Sequence, residues 1–306
     1  MFVKYLSDSY EDALDELKKE YSGIRLERQK RYLPFTIAEE CSFQSLYDQR
    51  FSDKIGQLIN AAMRKIEADN NQQLAGVLNT VDYNSENALG TLDHKKAILR
   101  DLLEDFESLS LRPSEIEVKA GQVPADVIGD AYEYMIGQFA SMAGKKAGSF
   151  YTPAAVSEIM ARIVDVHPGE RVYDPTCGSG SLLIKAAKKQ NSKEVSIYGQ
   201  EVNGSSVAMA KMNMYIHEIR DAKIAWGDTL ANPLFLDSDG NLLLFDAIVA
   251  NMPFSKDKWA SGFNPGGESS GKGKRSSKWK PRWINSIALI GAFRLRARAI
   301  GRSCST

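Results

Sequence analysis

The sequence predicts an α/β protein in which a parallel sheet, wound on both faces by helices, follows an all-α N-terminal domain. In the first 140 residues, apolar side chains recur every three or four positions, as they do along one face of a helix. From about Gly148 onward, short β-branched runs alternate with helical patterns. This alternation is typical of parallel strands joined by crossover helices, so the second part is predicted to be a doubly wound α/β domain.

Composition divides the chain into three regions: a helical domain at residues 1–140, an α/β domain at 141–260 and a basic tail at 261–306. The net charge of zero conceals a split. Residues 255–306 hold 12 Lys and Arg against 2 Asp and Glu, whereas residues 1–254 hold 27 against 37. Because so acidic a body attracts phosphates poorly, a nucleic-acid substrate would require the basic end or a partner protein.

The N-terminal domain contains three segments with clear helical periodicity, namely Tyr10–Tyr21, Phe51–Ala68 and Leu92–Leu109. Asp93 is predicted to cap the start of the third helix, because an aspartate carboxylate accepts hydrogen bonds from the first free N–H groups. The pair Arg112-Pro113 is predicted to close that helix, because the residue before a proline avoids helical geometry.

In the α/β domain, the short apolar runs predict strands at Arg171–Asp174, Val195–Gln200, Lys223–Trp226 and Phe245–Ala250. Amphipathic stretches predict crossover helices at Ser179–Lys189 and Gly204–Arg220. Since parallel strands end at the same edge of a sheet, the residues that follow these strands should lie close together. That edge is where folds of this kind bind ligands.

Several classes of protein are disfavoured by the sequence. No apolar run approaches the roughly 18 residues that a membrane span requires, and the first ten residues lack the order of a signal peptide, so we expect a cytoplasmic protein. The cysteines Cys41, Cys177 and Cys304 are far apart and have no His or Cys partner at metal-binding spacing. We therefore expect neither a disulfide framework nor a metal site.

A glycine-containing turn, Asp174-Pro-Thr-Cys-Gly-Ser-Gly180, joins the first predicted strand to its helix. Glycines at such a turn let backbone N–H groups approach a ligand closely, and they also serve tight packing, so the turn alone is ambiguous. A dinucleotide fingerprint would have a third glycine where this chain has Leu183, and the lysine of a P-loop is missing. The predicted ligand is therefore nucleotide-sized but need not carry a pyrophosphate.

Two further acids follow the next two strands. Glu201 comes directly after the second strand, where a carboxylate can accept both hydroxyl protons of a ribose. Asp228 ends the third strand and could accept a proton from the exocyclic amine of an adenine. Together with Asp174, these acids predict a site for an adenosine-like molecule.

The fourth strand ends in Asn251-Met252-Pro253-Phe254, which resembles the Asn-Pro-Pro-Phe/Tyr motif of amino methyltransferases. Upstream, Gly148-Ser-Phe-Tyr-Thr-Pro153 resembles the Phe-Tyr-Thr-Pro box of the same superfamily. With the glycine turn between them, the order of the boxes is similar to the gamma arrangement of adenine-N6 DNA methyltransferases. Resemblance to the modification subunit of type I restriction-modification systems in particular comes from Asp130-Ala-Tyr-Glu-Tyr, Phe139-Ala and Gly144-Lys-Lys-Ala-Gly.

The resemblance, which covers roughly residues 1–260, implies a Rossmann-like S-adenosylmethionine-dependent methyltransferase fold that is incomplete in this chain. It also implies a DNA adenine-N6 methyltransferase acting on an adenine flipped out of the duplex, with a separate specificity subunit and a restriction subunit as partners. The residues expected to bind S-adenosylmethionine are Ser149, Phe150, Tyr151, Thr152, Asp174, Thr176, Gly178, Ser179, Gly180, Glu201 and Asp228.

The catalytic residues implied by the resemblance are Asn251, Met252, Pro253 and Phe254. The adenine amine is a weak nucleophile, so the Asn251 side-chain carbonyl and a backbone carbonyl after it would hold its lone pair towards the methyl group. Phe254 would stack on the flipped base. Met252 replaces the first proline of the family motif, but Pro253 still restricts it to extended geometry, so we expect the acceptor pair to survive.

Thr152 and Pro153 also predict a helix start, with the threonine as N-cap and the proline at the first helical position. The basic tail, which includes Lys272 and Trp279, could track phosphates and stack on bases. The abrupt change in composition instead favours a departure from the true reading frame near residue 275. On that hypothesis we expect weak or no turnover by this chain.

Two other functions stay open at this stage. One is an amino methyltransferase that acts on protein glutamine or on RNA, since the Asn-x-Pro-Phe corner also serves those amides and amines. The other is a non-catalytic module for donor binding or assembly. Low solubility would favour the second, because missing strands would expose a sheet edge and apolar surface.

Overall fold

The structure is a computed structural model that describes residues 1–142, 151–188 and 194–252. The helices, in chain order, are α1 (Phe2–Glu20), α2 (Gly23–Lys30), α3 (Phe43–Asp48), α4 (Ile55–Asp69), α5 (Asn71–Leu74), α6 (Glu86–Leu89), α7 (Leu92–Glu107), α8 (Pro124–Met142), α9 (Ala154–Val164), α10 (Ser181–Lys188) and α11 (Gly204–Ile216). The strands are β1 (Arg171–Asp174), β2 (Ser196–Glu201), β3 (Lys223–Trp226) and β4 (Ala247–Ile248).

The described residues fall into two compact units. The first takes in Met1–Tyr151, Gly178–Ser181 and Gly204–Ala222, so it contains α1 to α8 and α11. The second takes in Thr152–Cys177, Leu182–Asn203 and the described residues from Lys223 onward, and it contains the sheet. Among the described residues, no helix combines the length and the apolar character that crossing a membrane requires.

The first unit is held by one apolar core to which most of its helices contribute. Leu6 of α1, Ile66 of α4, Leu99 of α7 and Ile128 of α8 are almost fully buried in it, together with Ile216 of α11. Burying a side chain of this size contributes about 1.5–3 kcal/mol. The helical character predicted for the first 140 residues follows from these buried positions, which recur at three- and four-residue spacing.

Several predicted helix boundaries were wrong. Helix α1 begins at Phe2, eight residues before the predicted start, because Phe2, Tyr5 and Leu6 continue the buried face. Helix α4 begins at Ile55 instead of Phe51, and Phe51 is exposed. The N-cap position of α7 is occupied by Thr91, so Asp93 lies in the first turn, where its charge still suits the helix dipole.

The end of α7 also differs from the prediction. The helix stops at Glu107, before the Arg112-Pro113 pair. Arg112 is extended, as expected before proline, but Pro113 begins a short 3-10 turn. The connection is anchored to α1 instead, since the Asp8 carboxylate accepts a hydrogen bond of 2.7 Å from the N–H of Leu111.

The second unit contains a parallel sheet with the strand order β3-β2-β1-β4. Successive strands step outward from β1 to β2 to β3, and the chain then returns to place β4 on the other side of β1. The order therefore reverses between β1 and β4. In doubly wound sheets, ligands bind beyond the carboxyl ends of the strands at such a switch point.

The two faces of the sheet are packed differently. On one face, Tyr173 pairs in register with Tyr198, and the rings of Phe235 and Phe245 contact both. Tyr173 stacks on Phe245 with ring centroids 4.5 Å apart. On the other face, the neighbouring pair of Val172 and Ile197 is fully buried. Asp174 follows Val172 by two positions and so belongs to the same face as that pair.

The predicted bounds of β1 and β3 are confirmed, whereas the bounds of the other elements predicted for the α/β domain differ from the predicted ones. Strand β2 runs to Glu201, one residue further than predicted. Only Ala247–Ile248 of the predicted fourth strand forms the paired strand β4, although the flanking N–H groups of Asp246 and Val249 still donate to the carbonyls of Arg171 and Tyr173 in β1. Helix α10 begins at Ser181, two residues later than predicted, and α11 ends at Ile216, four residues earlier than predicted.

Candidate functional site

The turn after β1 is closed by hydrogen bonds of its own. The Asp174 side chain is 2% exposed, and its Oδ1 accepts a hydrogen bond of 2.8 Å from the N–H of Thr176. Next, the N–H of Cys177 donates to the carbonyl of Gln200 at 3.1 Å, which lays the turn over β2. Gly199 makes this approach possible, since a Cβ there would lie 3.0 Å from the Cys177 sulfur. The carboxylate of Asp174 is therefore held in a fixed position at the strand end.

Beyond Cys177, the chain passes through two glycines in the left-handed region, Gly178 with φ +53° and Gly180 with φ +79°. Other residues rarely adopt this conformation, so the sequence pattern here serves the backbone geometry. Helix α10 begins at Ser181, directly after the second glycine. Consequently, the free N–H groups of a helix start immediately follow the turn, which is an arrangement that suits polar or anionic ligand groups.

Glu201 is the last residue of β2 and is 5% exposed. Its Oε1 accepts a hydrogen bond of 2.8 Å from the N–H of Asn203. The pKa of Asp174 is raised to about 7, chiefly by burial; the hydrogen bond from Thr176 opposes the rise, and the negative charge of Glu201 adds to it. The structure thus brings two of the three predicted acids together at the edge of the sheet.

Burial and the negative charge of Glu201 disfavour the ionised form of Asp174, and further hydrogen-bond donors or positive charge would favour it. Ribose hydroxyls and an ammonium group are groups of this kind. A ligand with both would stabilise the ionised form of Asp174, which the protein alone disfavours. The edge therefore suits a ligand that brings hydrogen-bond donors or positive charge to Asp174.

Asp228, the third predicted acid, is exposed and lies two residues beyond β3. Its Oδ1 accepts hydrogen bonds from the N–H groups of Leu230 and Ala231, at 2.9 and 3.2 Å, and so it organises the turn that follows. An aspartate in this role fixes the turn through its side chain. Its predicted contact with an adenine amine remains a prediction.

Two residues that position this turn were missed from the sequence. The fully buried Gln200 amide donates to the carbonyl of Asn232 at 2.9 Å and accepts from the N–H of Leu234 at 3.0 Å. Thr229 donates from its hydroxyl to the carbonyl of Pro175 at 2.6 Å, which joins the turns after β1 and β3. A glutamine inside an otherwise apolar strand was the available signal, since a buried amide needs partners.

The corner after β4 meets the Thr-Pro box. The Asn251 side-chain N–H donates to the hydroxyl of Thr152 at 3.2 Å, across 99 residues of sequence. Thr152 was predicted to cap α9, and this is wrong: Pro153 occupies the N-cap position and Ala154 is the first helical residue. The threonine hydroxyl is thereby available to hold Asn251.

Other predicted site residues have different surroundings. Met252 is 55% exposed. Tyr151 lies against α8, since a Cβ added at Gly137 would be 3.1 Å from its hydroxyl oxygen. The predicted residues that lie outside the described ranges are Ser149, Phe150, Pro253 and Phe254, together with the basic tail.

The thiol of Cys177 is buried, and burial raises its pKa well above its ordinary value. A neutral, buried thiol is a weak nucleophile, and it serves here as packing against Gly199. Within the described ranges, no cluster of three His, Cys, Asp or Glu residues has the spacing of a metal site.

Comparison with known proteins places these features in context. Residues 123–287 match the family model described as N-6 DNA methylase, and residues 1–106 match the HsdM N-terminal domain. The type I restriction enzyme MjaVIII methylase subunit of Methanocaldococcus jannaschii is 30% identical over 84% of this chain and 44% of its own length. The MpnII methylase subunit of Mycoplasma pneumoniae is 32% identical over 82% of this chain and 47% of its own length.

A solved structure agrees with these similarities. The type I restriction-modification system methyltransferase subunit of Streptococcus thermophilus superposes with a TM-score of 0.63 at 28% identity, over 81% of this chain and 56% of that one. The chain spans about half the length of the curated relatives that it matches. The predicted fold class, a methyltransferase-type α/β domain after a helical N-terminal domain, is confirmed.

Proposed function

Since the chain belongs to the N-6 DNA methylase family, we propose that it binds S-adenosylmethionine at the carboxyl edge of the sheet and transfers the methyl group to adenine N6 in DNA. The observation that carries the proposal is the buried acid pair, Asp174 and Glu201, at the ends of adjacent strands. It lies beside the switch point between β1 and β4, where Asn251 follows the last described strand.

The donor fits the residues present. It carries a ribose, an ammonium group and a sulfonium charge, which together supply hydrogen-bond donors and positive charge to the edge where Asp174 and Glu201 lie. Glu201 would accept the ribose hydroxyl protons, and Asp174 would face a donor or cation. When bound, the donor supplies an electrophilic methyl group, so no covalent enzyme nucleophile is needed.

Asn251 would orient the target amine. Its side-chain N–H is directed at Thr152, and this leaves the carbonyl oxygen of the same amide to accept a hydrogen bond from an N–H of the adenine N6 group. The backbone carbonyl of Met252 would be the second acceptor. With both N–H groups held, the nitrogen lone pair would face the methyl group, and the two acceptors would stabilise the positive charge that develops on nitrogen. One of the two N6 protons would then leave to solvent, which gives neutral N6-methyladenine.

The base must leave the duplex to reach such a corner, and Phe254 would stack on it, at about 1–3 kcal/mol per base. Phosphate attraction would come largely from a partner, because residues 1–254 hold 27 Lys and Arg against 37 Asp and Glu. We propose a specificity subunit as that partner, a restriction subunit for cleavage, and the cytoplasm as the location.

Transfer of radiolabelled methyl from S-adenosylmethionine tests the proposal. The chain, in excess over acceptor, is offered duplex DNA, RNA and a glutamine-containing protein in parallel. We expect label in DNA as N6-methyladenine, at a low yield for the chain alone. Asn251→Ala should abolish the label while leaving donor affinity within about threefold, because Asn251 holds the acceptor and not the donor.

Each outcome has a distinct meaning. Label on protein glutamine or on RNA, with none on DNA, would overturn the proposal in favour of another amino methyltransferase. Donor binding without label on any acceptor would favour a non-catalytic binding module. If Asn251→Ala transfers as much label to DNA as the wild type does, the amine is held by other residues and the proposed mechanism is wrong.

A further inference from the structure

Within the first unit, one face of α11 lies against the glycines of the turn after β1. Asn213 has no exposed surface, and its side-chain N–H donates to the carbonyl of Ser179 at 3.1 Å. A Cβ added at Gly180 would lie 2.9 Å from the Met214 Cε and 3.5 Å from the Ala210 Cβ. Residues 210, 213 and 214 therefore form the surface on which Ser179 and Gly180 rest.

The Asn213 amide is used on one side only. Its Oδ1 is buried and has no hydrogen-bond partner within the described ranges. An unsatisfied buried acceptor costs free energy, and an apolar side chain of similar size would avoid that cost. Unlike an apolar side chain, the asparagine provides an N–H group that holds the Ser179 carbonyl.

Holding this carbonyl fixes a second group. The carbonyl of Ser179 and the N–H of Gly180 belong to one planar trans peptide, in which the two bonds point in opposite directions. Because the carbonyl points at Asn213 on α11, the Gly180 N–H points away from α11. Gly180 has a φ of +79°, a conformation that its lack of a Cβ allows.

We propose that Asn213 is a positioning residue for the donor site: it locks the Ser179–Gly180 peptide so that the Gly180 N–H is directed at the bound ligand. The inference rests on the proposed function, since it assumes that the glycine turn receives S-adenosylmethionine. Without Asn213 the peptide could rotate, and the N–H would have to be reoriented each time the ligand binds.

Isothermal titration with S-adenosylmethionine tests this role. We expect Asn213→Ala to raise the dissociation constant at least tenfold. Ile216→Val is the matched control, because Ile216 is fully buried in the same helix and belongs to the apolar core. It should lower the melting temperature with less than a twofold change in affinity, which separates positioning from stability.

A pH readout distinguishes the hydrogen bond from packing. In Asn213→Asp, a protonated carboxyl can donate to the Ser179 carbonyl as the amide does, whereas the ionised form repels it. The ratio of the variant and wild-type dissociation constants should therefore be near one at pH 5.5 and exceed tenfold at pH 8.5. A ratio that is independent of pH would overturn the proposal.

The two proposals fail in different ways. If the folded wild type does not bind S-adenosylmethionine, the proposed function fails and this inference fails with it. If the wild type binds and Asn213→Ala binds within twofold of it, only the positioning role is wrong. An equal loss of affinity in Ile216→Val would also contradict the positioning role, because the affinity would then depend on the stability of the helix and not on the Asn213 hydrogen bond.

Discussion

The turn after β1 and the corner after β4 lie on neighbouring strands but are held in different ways. At the turn, Asp174 and Cys177 are buried, and hydrogen bonds join the turn to Gln200 and Thr229. At the corner, β4 contributes only two paired residues, Asn251 is half-buried with a bond to Thr152, and Met252 is exposed. The turn is therefore formed before a ligand binds, whereas the corner is fixed by few contacts.

This difference assigns the two sides separate tasks. A buried carboxylate with a raised pKa stores unfavourable free energy that a bound donor can relieve, so changes at the turn should appear in donor affinity. The corner has little burial to lose, so changes there should appear in turnover and hardly in binding or stability. Four predictions test this division.

The largest effect is expected for Asp174→Asn. The amide oxygen can still accept from Thr176, but the charge is lost, so the affinity for S-adenosylmethionine should fall at least 100-fold by isothermal titration. In contrast to the affinity, the unfolding free energy of this variant should increase relative to that of the wild type. The folded-state pKa of Asp174, about 7, exceeds its ordinary value of 3.8, so ionisation lowers the wild-type unfolding free energy as pH rises from about 4 to 7.

Chemical denaturation at pH 4 and pH 8 measures that second effect. Relative to the wild type, Asp174→Asn should gain on the order of a few kcal/mol between the two pH values, because the amide never ionises. If affinity falls but the unfolding free energy shows no such gain, ionisation of Asp174 does not destabilise the wild-type fold. Unchanged affinity would remove the turn from the donor site.

The second prediction concerns the pH dependence of wild-type binding. A ligand that requires ionised Asp174 binds more weakly once the pKa of about 7 is crossed from above. The dissociation constant should be constant above pH 7.5 and rise by up to about tenfold per pH unit below pH 6.5. Titrations from pH 5.5 to 8.5 measure it, and a flat profile would show that the turn is not a charge-sensitive site.

The third prediction concerns the bond between the turns. Thr229→Val preserves shape but removes the hydroxyl that donates to the carbonyl of Pro175. We expect a loss of about 1 kcal/mol in unfolding free energy and an affinity loss of roughly three- to fivefold. Thr229→Ser, which keeps the hydroxyl, is the control. A loss in Thr229→Ser without one in Thr229→Val would point instead to packing of the methyl group.

The smallest effect is expected at the corner. In Met252→Pro, which restores the family motif, the backbone carbonyl is unchanged and the following proline already favours extended geometry. Donor affinity and melting temperature should change little, and DNA methylation should rise by less than about threefold. An increase of orders of magnitude would show that the corner requires the rigidity of the first proline.

Much of the fold follows from local sequence. The bounds of β1 and β3 were predicted correctly, because short β-branched runs between turn signals leave few alternatives. The helical nature of the first unit followed from periodicity, although helix ends did not. Phe2 extends α1 and Thr91 replaces Asp93 at the start of α7, since capping and packing choose among several permissible ends.

The sequence by itself determined which chemical groups follow each strand: the glycine turn, Glu201, Asp228 and the Asn251 corner. Tertiary structure decided what those groups can do. It buried Asp174 beside Glu201, bound Asn251 to Thr152 across 99 residues, and supplied Gln200 and Asn213 as anchors. Local patterns specify backbone conformation, whereas a pKa or a hydrogen-bond partner depends on residues that only folding brings within reach.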